Sequence, residues 1–334
     1  MSPSNINHSI LVSIVIPTYN REKSLSRAIA SAQAQTYPHI EILITDNASS
    51  DNTPSIVRSL AQSDPRIRYH RHPQNLGPVP NWLSAIRLAQ GSYIKILFSD
   101  DVLEPEAVEL LLQPFLLHPK TLAFSYATAT IHTPDKDYPH TATHPKDSLI
   151  PSLTYFLGIL TEFHRGPFSP CIALFRRQDL LEHFQLSTIP HSNPATQSSL
   201  LAKGIGYDAI LLWRTAARYP YVYALSKPLI HFYGYNLDNE KCISTSTPFE
   251  ELLEGYRHGF YYFLATSKIP PKLKTLIYEL LFFDPHSPKI RFRHILKSIP
   301  KIFKIQSTGI PLNIFSALFY FLLAYYKSAK IHRF

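Results

Sequence analysis

A chain of 334 residues with 45% apolar and 17% charged residues is globular, and long enough for one large domain or one domain and an appendage. Its two cysteines, Cys171 and Cys242, exclude a disulfide framework and stand in no metal-ligand spacing, which fits a reducing compartment. The formal charge of +9 lies at one end: the nine basic residues between Lys289 and Phe334 meet no acid, leaving 24 basic against 24 acidic residues before them.

In chain order, an apolar run from Ile10 to Ile16 comes first. No positive charge precedes it and no small-residue cleavage site follows, so a first strand is expected rather than a secretory signal. Val12 to Pro17 is short and β-branched and ends in Thr18-Tyr19-Asn20. Leu25, Ala28, Ile29 and Ala32 then recur at helical spacing up to a break at Tyr37-Pro38. Ile40 to Thr45 predicts a second strand that opens into Asp46-Asn47-Ala48-Ser49-Ser50-Asp51, and Thr53-Pro54 predicts a helix N-cap with proline at the first helical position. Asn47-Ala48-Ser49 is also a glycosylation sequon; a glycan there would block the cleft these loops form, so a protein that is not secreted is expected.

A short strand from Ile67 to His70, a loop from His72 to Pro80 and a helix carrying Trp82, Ala85, Ile86 and Ala89 follow. Gly91 closes that helix, and Tyr93 to Phe98 predicts the fourth strand. Beyond it come a helix from Pro105 to about Leu116 and a strand from Leu122 to Ile131. His132 to Pro151 has no periodicity and reads as a long surface loop over the cleft or a boundary. Strands alternating with helices predict an α/β fold on a mostly parallel, Rossmann-like sheet.

The fourth strand runs into Ser99-Asp100-Asp101. Two adjacent acids at the end of a buried strand are costly without a positive partner; a divalent cation shared with substrate phosphates, Mg²⁺ or Mn²⁺, is one answer and a solvated turn is the other. Three strands thus end in polar loops, which in an open parallel sheet converge outside the carboxyl ends. Tyr19 offers a ring face, and Asp46 and Asn47 offer hydrogen-bonding groups for a base and ribose. None of the loops is a Gly-rich phosphate fingerprint, which argues against a dinucleotide dehydrogenase or a P-loop NTPase.

Together these residues resemble the family 2 glycosyltransferases, inverting enzymes of the GT-A fold. Val15-Ile16-Pro17-Thr18-Tyr19-Asn20 is similar to the family's opening strand and nucleotide loop, and Ile44 to Thr53 to its second motif in an Asp-Asn variant. Asn75-Leu76-Gly77, then Gly91-Ser92-Tyr93 leading into Ser99-Asp100-Asp101, resembles the third motif and the Asp-x-Asp position. The resemblance implies donor binding by Pro17, Thr18, Tyr19, Asn20, Asp46, Asn47, Asn75, Gly77 and Asp100. Asp101 is expected to hold the metal, with Asp100 sharing it or facing the donor's ribose or sugar. More weakly, Gly166 to Arg177 resembles the acceptor-side segment, and Tyr207-Asp208 resembles a segment that usually begins Glu-Asp. It implies that Asp208 is the catalytic base, the alternative being a helix cap. Tyr207 replaces the usual Glu, and Tyr235 stands where many relatives carry a metal-contacting His; His231, four residues earlier, is a weak metal candidate.

The implied function is inverting transfer of a sugar from a nucleoside-diphosphate donor, UDP-linked, to a saccharide or lipid-linked acceptor. A retaining double displacement would need a second carboxylate as nucleophile, which no further acid motif suggests. The alternatives are a GT-A-like nucleotidyltransferase, whose Gly-rich and basic first loop Thr18-Tyr19-Asn20 lacks, and a degenerate nucleotide-binding scaffold. Residues 1–235 are expected to form the catalytic domain, with its nucleotide-sugar half over about 1–131 and its acceptor half over about 150–235. Residues 236–334 are expected to be helical, basic and aromatic. The run Ile310 to Tyr326 is marginal for a membrane span. Two readings fit the tail: a helix in the membrane interface held by anionic lipid, or a cap on the catalytic domain or a second subunit. A cytoplasmic protein follows, peripheral at the inner membrane face if the tail engages lipid. Nothing resembles a nucleic-acid recognition module.

Overall fold

The structure, a computed structural model, describes residues 10–139, 146–152, 154–155, 169–183 and 204–233. The expected tail, Tyr235, Cys242 and Gly166 to Phe168 lie outside the described residues. Strands β1 (Val12–Thr18), β2 (Ile40–Asp46), β3 (Ile67–Arg71) and β4 (Tyr93–Ile96) pair in parallel in the order β3-β2-β1-β4. All residues of β1 and β2 are buried, which is why both read as uniform apolar runs rather than alternating ones. Helices α1 (Leu25–Gln33), α2 (Thr53–Ser63) and α3 (Pro78–Leu88) make the crossovers. α1 buries Leu25, Ala28, Ile29 and Ala32, the residues whose spacing predicts it.

The second half is mixed. After β5 (Val102–Leu103) and α4 (Ala107–Leu117) come β6 (Leu122–His132), β7 (Asp137–Pro139) and β8 (Ser148–Pro151). A 3₁₀ turn, Pro170–Ile172, leads into β9 (Ala173–Arg176), then α5 (Arg177–His183), α6 (Tyr207–Ala216) and β10 (Tyr221–Phe232). β9 slots antiparallel between β4 and β6, so the sheet runs β3-β2-β1-β4-β9-β6-β10-β5, with β7 on β6 and β8 on β10. One core is continuous from Val12 to Ile230 and includes the fully buried Trp213 of α6.

Two local expectations change. The stretch His132 to Pro151 carries β7 and β8, each too short and too exposed to leave a periodic signal. Thr53 lies inside the first turn of α2, with Asn52 at the cap; its hydroxyl accepts the Arg21 N–H at 2.8 Å and ties two loops together.

Gly91 closes the approach to β4 for lack of space. A Cβ there would sit 2.6 Å from Ser13 Oγ and 2.7 Å from the Leu11 carbonyl oxygen, while the Gly91 N–H donates to Ser13 Oγ at 2.8 Å. Gly91→Ala is therefore expected to cost about 1–3 kcal/mol of stability by overpacking, read from urea unfolding. A midpoint equal to that of the unsubstituted protein would contradict this close approach.

Candidate active site

The three strand-end loops lie side by side at the carboxyl edge of β2, β1 and β4. The first two are laced into one body. The Asn20 N–H donates to Ser49 Oγ at 2.9 Å, and Asn20 Oδ1 accepts the Ser50 N–H at 2.8 Å. The Glu22 N–H donates to Asp51 Oδ2 at 3.1 Å, and Glu22 Oε2 accepts the Asn52 N–H at 3.0 Å. These bonds hold Asn20 at φ 51° and Ala48 at φ 63°, a left-handed backbone that is unfavourable for alanine. Tyr19, 43% exposed, presents its ring at the rim, whereas Pro17 and Thr18 are buried in the strand end.

Asp46 is fully buried and its carboxylate is spent inward. Oδ1 accepts from the Ser49 N–H at 2.9 Å and the Ser49 hydroxyl at 2.5 Å; Oδ2 accepts from the Tyr69 hydroxyl at 2.7 Å and pairs with Arg71 Nε at 3.3 Å. Burial first, and then the Asp46 charge, push the Tyr69 phenol up, so it stays a donor. Asn47 is spent as well. Its Nδ2 donates to Asn75 Oδ1 at 2.8 Å and to the Gly77 carbonyl at 3.1 Å, and its Oδ1 accepts the Leu76 N–H at 2.8 Å. Asn75 Oδ1 also accepts the Gly77 N–H at 2.8 Å, and Gly77, at φ 85°, takes the left-handed turn that opens α3. The structure thus brings Asn47, Asn75 and Gly77 together beside Asp46, with Asp46 and Asn47 buried, Gly77 half-buried and Asn75 exposed.

Asp100 and Asp101 follow β4. Asp101 is 4% exposed and, among the described residues, forms no ion pair. Its Oδ2 accepts from the Cys171 thiol at 3.4 Å and its Oδ1 from the Tyr233 N–H at 3.4 Å. Burial, then the neighbouring Asp100 charge, push its carboxyl well above the usual carboxylate range, against the opposing pull of Cys171, Tyr233 and Lys95. Lys95 is itself fully buried, its Nζ donating to the Ile96 carbonyl at 2.9 Å and to the Cys171 carbonyl. Burial pushes its ammonium down and the Cys171 thiol up. Arg27 of α1 donates to the Asp100 carbonyl at 3.3 Å.

These residues fit a hard divalent cation: two adjacent acids, one held out of water against its own charge. Among the described residues no set of three His, Cys, Asp or Glu is arranged around a metal, so phosphate and water oxygens would complete a shell begun by Asp101 and Asp100. His231 is turned to other partners, Nε2 to Glu104 at 2.7 Å and Nδ1 to His132 at 2.9 Å. Asp208 lies in the first turn of α6 behind Gly206, the cap residue, and its Oδ1 accepts the Ala209 N–H at 2.9 Å. α6 packs against the Pro170–Ile172 turn, whose Cys171 reaches Asp101. Tyr207 is buried. Sequence reasoning missed Lys95, Cys171, Arg27 and Tyr233; only Lys95 left a signal, a lone cation inside a strand-like run.

A family model described as glycosyl transferase family 2 matches residues 13–184. The chain belongs to glycosyl transferase family 2. Over 132 residues this family 2 chain is 42% identical to hyaluronan synthase of Pasteurella multocida, a match covering 40% of the chain and 13% of that protein. Over 104 residues it is 38% identical to GalNAc(5)-diNAcBac-PP-undecaprenol beta-1,3-glucosyltransferase of Campylobacter jejuni, covering 30% of the chain and 33% of that protein. The matched stretch spans a third or less of the length of these two curated relatives. The crystal structure of S. aureus TarS residues 1–349 in complex with UDP-GlcNAc superimposes with a TM-score of 0.60 at 16% identity, covering 80% of this chain and 70% of that one. That likeness is one of fold, and the fold is of GT-A type. The family match takes in all three strand-end loops and stops short of Asp208 and Tyr233.

The electrostatics of Asp101 make a signed prediction for this family 2 chain. A carboxyl raised in the folded state costs stability as pH climbs from its unfolded value, about 3.9, through the raised one, and the full cost stands above the latter. Asp101→Asn removes that cost. Without divalent ions near neutral pH the variant is expected to be more stable by about 1 kcal/mol, the gain shrinking as pH falls toward about 4. Thermal melts across that range check it, and a variant that melts lower at neutral pH would refute it.

Proposed function

We propose that the chain transfers a sugar from a nucleoside-diphosphate donor, UDP-linked, to a saccharide or lipid-linked acceptor with inversion at the anomeric carbon. The observation that carries this reading is the Asp100-Asp101 pair, an acid held out of water beside the two laced loops that end β1 and β2. The named activities of the Pasteurella and Campylobacter relatives support it.

In this reading Pro17 to Asn20 receive the nucleoside, with the Tyr19 ring against the base. Asp46 and Asn47 act by fixing the loops rather than by reaching out, since their side-chain polar atoms already bond neighbouring groups, while Asn75 and Gly77 stand nearer the loop surface toward the donor. Asp101 and Asp100 would hold Mg²⁺ or Mn²⁺, with Asp100 sharing it or facing the donor's ribose or sugar. A divalent ion bound there supplies positive charge to the oxygens of the departing diphosphate. The acceptor oxygen forms its bond to the anomeric carbon on the face opposite the diphosphate, whose bond breaks with the electron pair leaving on oxygen. The acceptor proton passes to Asp208. Asp208 suits this role because it opens a buried helix with its side chain half-exposed.

Asp208→Asn is expected to lower transfer by roughly 10²–10⁴-fold while leaving the affinity for UDP with Mn²⁺ unchanged, read by product chromatography and calorimetry. Full transfer in that variant would return Asp208 to the first turn of α6 as a structural residue. Release of pyrophosphate from an NTP and a sugar phosphate, instead of UDP from a UDP-sugar, would replace the reading with nucleotidyl transfer. Among the described residues no helix is long and apolar enough to cross a membrane. The basic tail, which lies outside those residues, supports a surface contact: the full chain is expected to sediment with vesicles of anionic lipid and to be released by salt, and binding that ignores lipid charge would count against it.

A further inference from the structure

One cluster beside the acids is not used by the proposed chemistry. Asp137 of β7, His132 of β6, His231 of β10 and Glu104 after β5 form an unbroken row of hydrogen bonds. Asp137 Oδ1 lies 2.8 Å from His132 Nδ1, His132 Nε2 lies 2.9 Å from His231 Nδ1, and His231 Nε2 lies 2.7 Å from Glu104 Oε1. A carboxylate at each end and a ring–ring bond between them fix both imidazoles in position and plane.

The row ends on the metal side in two places. Glu104 is three residues beyond Asp101 on the same segment, and β10 pairs with that segment through His231 opposite Val102. His132 lies flat on the Tyr233 ring, with centroids 4.3 Å apart and planes 10° apart. The Arg27 guanidinium carbon stands 4.1 Å from the centre of the same ring. One ring face cannot hold both groups at these distances, so Tyr233 is clamped between them. Tyr233 follows the last residue of β10, where the ladder no longer holds the backbone, and its N–H donates to Asp101 Oδ1 at 3.4 Å, the long limit of a hydrogen bond. The clamp supplies what the sheet there does not.

We propose that His132 and His231 are positioning residues for Asp101, acting through the clamped ring of Tyr233. This rests on the reading of Asp101 as a metal-holding carboxylate. His231, a weak metal candidate by sequence, acts here one step removed, by ordering His132 and Glu104.

The test is the affinity of the full chain for Mn²⁺ in the presence of UDP, read from the free-Mn²⁺ signal in electron paramagnetic resonance. H132A and Y233A are each expected to weaken it about tenfold or more, and H231A by a smaller factor. H132F, which keeps a flat ring but no hydrogen bonds, should recover most of the loss, and Y233F should match the unsubstituted protein. H132A/Y233A should be no weaker than the weaker single variant, since both act through one contact. Unsubstituted affinity in H132A and Y233A, additive losses in the double variant, or H132F as weak as H132A would overturn the proposal. Unsubstituted protein that takes up no Mn²⁺ with UDP would overturn the metal reading itself, a different result from any of these.

Discussion

A carboxylate taken from water into a protein interior costs on the order of several kcal/mol unless nearby groups answer its charge. Asp101 is such a group, and Lys95, Cys171 and Tyr233 gather about it from three separate pieces of chain. Lys95 contributes charge from within β4 but spends its hydrogens on carbonyls. Cys171 contributes a weak donor and Tyr233 a long amide contact. Each answer is partial, and together they keep the acid in place without quenching it. A fully satisfied carboxylate would be more stable and worse prepared to receive a cation. On the proposed metal reading, the same partial satisfaction that penalises the folded chain leaves Asp101 ready for a cation.

The loops that end β1 and β2 follow the opposite rule. Asp46 meets four donors and Asn47 three partners, all within the protein. The polar residues there are structural members that keep two loops and the entry to α3 in one shape before any ligand arrives. A loop held in this way loses little conformational freedom on binding, which favours affinity. One side of the cleft is preorganised by saturation, the other kept receptive by deficit.

The first four strands and their crossovers are legible in the sequence because burial on both faces leaves uniform apolar runs, and helices between them repeat at their own period. The polar strand ends are legible too, since a loop at a carboxyl edge breaks the run abruptly. What could not be read are features made by distant partners. β9 is four residues whose place between β4 and β6 is set by pairing across about 80 residues on one side and about 50 on the other. His132 looked like the start of a loop because its partners, Asp137, His231 and Tyr233, come from three separate pieces of chain. That Tyr69 and Arg71 bond Asp46 depends on β3 lying in register with β2, with Asp46 opposite Arg71.

The insertion of β9 also sets an order of events during synthesis. β3-β2-β1-β4 closes on itself once residue 96 has emerged, so the loops that end β1 and β2 can be complete while most of the chain is still unmade. Asp101 waits far longer: Cys171 arrives about 70 residues later, Tyr233 about 130. Until then β4 is a free edge, and Lys95 within it has yet to meet the Cys171 carbonyl. An inward-pointing charge on a free edge strand discourages pairing with other chains, so the lysine that ends up buried beside Asp101 guards the half-made sheet as it leaves the ribosome.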